Sequence, residues 1–69
     1  MTRQEILKER IQEARTSWGD AVVGDVLNTM SFMHGDPDGL WSTYEGMGMF
    51  EHAEAVEHIY FDLPENEEQ

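Results

Sequence analysis

Cysteine is absent from the 69-residue chain, which excludes disulfide staples and any metal centre held by thiolates. Basic residues are almost as scarce: four Lys/Arg stand against fifteen Asp/Glu, for a net charge of −11. A surface with that balance is repelled by DNA, RNA and anionic lipid, so direct contact with nucleic acid or membrane is not expected. No apolar run approaches the ~20 residues of a membrane span, and Met1-Thr2-Arg3-Gln4-Glu5 lacks the apolar stretch of a secretion signal. The expected setting is cytoplasmic. Also missing are a G-x-S-x-G elbow, a phosphate-cradling glycine loop and an H-E-x-x-H pair, so the chain reads as a non-enzyme with no catalytic residues and no resident cofactor. Folding at this length hides only about 60% of the unfolded surface. Self-association into a homo-oligomer, or a partner, is therefore expected to add stability.

The charge that is present is segregated. Residues 1–33 hold five acids and all four bases, whereas residues 34–69 hold ten acids and no base. Most of the negative potential therefore comes from the second half.

The apolar spacing predicts an all-α fold, a small three-helix domain over residues 1–63 with a disordered acidic tail at 64–69. Thr2 and Glu5 form a T-x-x-E capping box that opens the first helix. Leu7, Ile11, Ala14 and Trp18, with Ile6 beside them, give it one apolar face. Val22, Val23, Val26, Leu27, Met30 and Met33 repeat at helical spacing in a second, more apolar segment. Gly19 and Gly24 lower its helical preference by up to ~1 kcal/mol each, or else permit close helix contact. Continuity of the first two helices stays open, with Thr16-Ser17 as a second cap. His34-Gly35 and Asp36-Pro37-Asp38-Gly39 read as a stop and a turn. Residues 40–48 read two ways: Trp41, Thr43 and Tyr44 favour a short extended segment, and Ser42-x-x-Glu45 resembles another cap. Met49, Ala53, Val56, Tyr60 and Leu63 line the last helix, which Pro64 stops.

Four features bear on function. Residues 34–45 resemble the twelve-residue EF-hand calcium loop. Asp36 and Asp38 fall at its third and fifth positions, Gly39 at its sixth, Ser42 at its ninth and Glu45 at its twelfth. The resemblance implies calcium held by Asp36, Asp38, Ser42 and Glu45, within a dimer of two such loops. It departs from the pattern at His34, which stands where an aspartate is expected, and at Pro37.

Glu51, Glu54, His58 and Asp62 form a second feature, a polar stripe within about 80° of the last helix at 100° per residue. A solvated acidic face explains that stripe better than a metal site on a single helix face. His52, nearer the apolar side, reads as a packed, hydrogen-bonded histidine.

The third feature is the field of the acidic half. Asp36, Asp38, Glu45, Glu51, Glu54, Glu57 and Asp62 present carboxylates spaced like the phosphates of a nucleic acid, and so suit a Lys/Arg-lined channel. The fourth is a set of apolar anchors, Trp41, Tyr44, Met47 and Met49, placed to sit at the centre of such a contact. In size and charge the chain resembles the small phage-encoded anti-CRISPR and anti-restriction inhibitors that mimic nucleic acid, proteins that share no common fold. That resemblance implies an interaction protein masking the basic surface of a nucleic-acid-binding partner. The alternatives are the calcium-binding dimer and a structural or assembly subunit.

Overall fold

In a computed structural model, residues 2–32, 35–61 and 63 are described. Four helices follow one another: α1 (Arg3–Trp18), α2 (Asp20–Phe32), α3 (Pro37–Gly46) and α4 (Phe50–Tyr60). No strand occurs among the described residues.

The capping box forms as its spacing predicts. Thr2 Oγ1 accepts from the Glu5 amide at 3.2 Å, and Glu5 Oε1 accepts from the Thr2 amide at 2.9 Å, so two otherwise orphaned donors are satisfied reciprocally. α1 then runs through Thr16 and Ser17, which do not cap a second helix, and ends one residue later than that reading. The break is Gly19, whose φ of 93° and ψ of 159° lie in a region essentially open only to glycine. Its amide still donates to the Arg15 carbonyl at 3.0 Å, and its carbonyl accepts from the Val23 amide at 3.2 Å. One residue thus ends α1 and starts α2, so the two helices are separate. Arg15 and Asp20 straddle the break, 3.7 Å apart.

The expectation of an extended segment at 40–48 is corrected: residues 37–46 are helical. Asp36 is the N-cap, its Oδ1 accepting from the Gly39 amide at 3.2 Å, and Pro37 sits in the first turn, where its missing N–H costs nothing. The β-favouring side chains Trp41 and Thr43 are accommodated because propensity is a weak prior against a good cap and a buried face. The three-helix count accordingly becomes four.

α3 closes in a Schellman turn. The Met49 amide donates to the Tyr44 carbonyl at 2.9 Å and the Gly48 amide to the Glu45 carbonyl at 3.1 Å, with Gly48 at φ 76°. That turn sets α4 back against α3.

α4 is the central element, packed against each of the other three helices. It supplies Ala53, Ala55, Val56 and Ile59 to the core, beside Val23, Val26 and Met30 of α2, Leu40 and Tyr44 of α3, and Ala14 alone from α1. Leu7, Ile11 and Trp18 face the core as their spacing predicts, yet all three stay partly exposed because α1 lies at the margin of the bundle. Arg10 fastens that margin. Its guanidinium donates to the Phe61 carbonyl at 2.8 Å and the His58 carbonyl at 3.4 Å, placing a cation at the negative end of α4. Burial raises the Tyr60 phenol above its ordinary pKa.

Candidate partner-binding face and aromatic groove

At 100° per residue the buried side chains of α4 take up one arc, and Glu51, Glu54 and Glu57 fall on the opposite one, about 120° wide. All three are exposed, and no base follows Arg15 in the chain to neutralise them. Spaced three residues apart, they put one carboxylate about every 4.5 Å along the helix axis, against about 3.4 Å per phosphate along one DNA strand. Asp36 and Asp38 add two exposed carboxylates at the start of α3, and Glu45 a half-buried one in its last turn. Asp62 lies outside the described residues.

Several of the candidate residues turn out to have structural work. Glu57 Oε2 accepts the Trp41 indole N–H at 2.6 Å, tying α3 to α4. Trp41 is half-buried and its ring centroid lies 6.5 Å from that of Phe61, so it is a packed side chain more than an exposed anchor. Met49 packs against the core, and Tyr44, expected as an exposed anchor, is buried in it. Met47 stays an exposed anchor, at 58% exposure. Sequence spacing missed Phe32 and Phe50, which are 74% and 57% exposed. Both sit in helical patterns that look amphipathic, and only the packing shows that they stay more than half exposed.

The calcium-loop register does not take up a loop. Asp36, Asp38, Ser42 and Glu45 run from the N-cap of α3 to its last turn, and the Asp36 carboxylate is already engaged by the Gly39 amide. An EF-hand needs the third and fifth of its positions, here Asp36 and Asp38, on a loop that wraps the ion, not on the cap and first turn of a helix. His34, the first position of that register, lies outside the described residues. No group of three or more His, Asp or Glu among the described residues is arranged to hold a metal.

Both described histidines of α4 are tied to other helices. His52 Nε2 lies 3.2 Å from Asp25 Oδ2 on α2, with its ring 5.0 Å from that of Tyr44, as expected of a packed histidine. His58 Nε2 lies 2.8 Å from Glu13 Oε1 on α1, and not on its own helix's carboxylates. Its ring sits 5.7 Å from the Trp18 indole.

Between α1 and α4 these contacts leave a groove of about 490 Å³ lined by Trp18, Glu54, Glu57, His58 and Phe61. Three aromatic rings and two carboxylates line it. No feature of the sequence pointed to it, because Trp18 and Phe61 stand 43 residues apart and meet only through the pairing of α1 with α4. No helix is long and apolar enough to cross a membrane among the described residues. No protein-family model matches the chain, and no curated protein or solved structure matches it.

Proposed function

We propose that the protein is a small acidic interaction protein that occupies the basic, nucleic-acid-binding surface of a protein partner, in the manner of the phage-encoded anti-CRISPR and anti-restriction inhibitors. The observation that supports it is the exposed run Glu51, Glu54 and Glu57 on α4, with two more exposed carboxylates, Asp36 and Asp38, at the start of α3, and no base in residues 34–69. The molecule's cations are in its other half, where Arg10 caps α4 and Arg15 pairs with Asp20, and among the described residues none of them forms an ion pair with Glu51, Glu54 or Glu57. A rigid row of carboxylates attracts a Lys/Arg channel at long range and holds it at close range, and both effects weaken with salt.

The test is affinity capture from lysate across a salt series, with duplex DNA and RNA as competitors. Captured proteins should be nucleic-acid-binding, released by competitor, and lost above about 0.5 M salt, where screening lengths fall toward 3–5 Å. Glu51→Lys with Glu54→Lys should weaken capture by at least about tenfold, since each reversal turns an attraction into a repulsion. Glu57 is left alone because it holds Trp41. Capture that survives the double reversal unchanged sinks the reading.

A second reading, a self-assembling subunit with a homo-oligomeric interface, draws on Phe32, Met47 and Phe50, large apolar side chains more than half exposed. Sedimentation at several concentrations separates the two, and a monomer throughout removes the second.

A further inference from the structure

We infer that the groove between α1 and α4 is the seat of an arginine side chain delivered by the basic partner, an assignment that rests on the reading above and gives it a centre. Three observations converge on a guanidinium. Trp18 lines the groove with an indole, the ring type with the strongest attraction for a cation over its face, and His58 lies against it at 5.7 Å. Glu54, in the same lining, makes no hydrogen bond or ion pair among the described residues and is exposed. Glu57, also in the lining, has one oxygen bonded to the Trp41 indole at 2.6 Å, which leaves its other oxygen to accept from a ligand.

The walls are held before any ligand arrives. His58 is fixed by Glu13 at 2.8 Å and lies against Trp18 at 5.7 Å, and Phe61 is packed against Trp41 at 6.5 Å. A site whose side chains are already ordered loses less entropy on binding than one that must assemble.

Arginine suits this lining better than lysine. The planar guanidinium stacks on an aromatic face while its edge donates in a fork to a carboxylate, whereas an ammonium is a compact, strongly hydrated point charge. Charge complementarity names the source: a chain of net −11 recruits cations from outside, and its own Arg10 and Arg15 are engaged within the fold.

The experiment is a titration of the full chain with hexa-arginine and hexa-lysine at low salt, followed by ¹H–¹⁵N correlation spectra. The two tryptophan indole signals report separately on the groove (Trp18) and on the Glu57 tie (Trp41). Hexa-arginine is expected to shift the Trp18 indole and the Phe61 amide saturably, and to bind about tenfold more tightly than hexa-lysine at equal charge. Glu54→Gln should weaken hexa-arginine about fivefold. Glu51→Gln, the same loss of charge on the same helix but outside the groove lining, should weaken it less than about twofold. If hexa-lysine binds as tightly, or the two glutamine variants weaken binding equally, the groove assignment falls while the acidic-face reading stands. If neither peptide binds, both fall.

Discussion

Gly19 and Gly24 both interrupt an apolar helical pattern, and the structure separates their roles. Gly19 adopts φ 93°, so any side chain there is strained, and it is the residue that lets α1 and α2 diverge. Gly24 sits inside α2, is exposed, and has nothing within 4 Å of where a Cβ would stand. It does not serve the close helix contact that its sequence position allowed for. Gly24→Ala should therefore stabilise the fold by about 0.5–1 kcal/mol, the difference in helix propensity. Gly19→Ala should cost about 1–3 kcal/mol, the strain of an L-residue in that region. Urea denaturation of both variants checks the pair, and effects of the same sign would contradict the backbone assignment. Glu57 has a structural contact that sequence alone does not show. Its charge and its place on the acidic stripe were legible, but its hydrogen bond to Trp41 depends on how α3 packs on α4.

Among the elements, α3 carries the sharpest disagreement between the two ways of reading residues 36–45. D-P-D-G looks like a turn, and the acids after it fit a calcium loop by spacing. The same residues equally spell a helix start: an N-cap aspartate, proline in the first turn and a further acid near the positive end of the helix. The Asp36 cap and the helical hydrogen bonds of residues 37–46 decide between them, and Leu40 and Tyr44, one turn apart, then reach the core from one helix face. With Asp36 as a cap, Asp36→Asn should be nearly neutral and Asp36→Ala should cost about 1 kcal/mol. Millimolar calcium should leave the unfolding midpoint of the unaltered chain where it is. A calcium-dependent rise in midpoint, abolished by either variant, would give the carboxylate to an ion instead. α1 poses the milder case. Its apolar face is correct in the sequence, but how deeply that face is buried depends on the neighbours it meets, and only Ala14 is fully covered.

Across the whole molecule, the acidic half sets the electrostatic state. A net charge of −11 on a domain with a radius of gyration of 11.6 Å brings like charges together on folding. Salt should therefore stabilise the free protein while weakening its hold on a basic partner. The melting temperature is expected to rise between about 10 and 200 mM NaCl, as the screening length shortens from about 30 Å to under 10 Å. A melting temperature that falls over that range would mean that ion pairs such as Arg15–Asp20 outweigh the repulsion.

The sequence by itself determined the helical class, the capping box at Thr2 and Glu5, the apolar face of α1, that of α2 as far as Met30 and that of α4 as far as Tyr60, where the helix ends short of the expected Leu63, and the division of charge between the two halves. Each of these depends on residue type and short-range spacing, which the chain carries locally. Tertiary structure decided the rest. It split the first helical stretch at Gly19, made residues 37–46 a helix, drew Glu57 and both described histidines of α4 into contacts with other elements, and opened a groove between Trp18 and Phe61. Those outcomes depend on which faces meet. Spacing along one helix shows which side is apolar, but not which residue of another helix will lie against it.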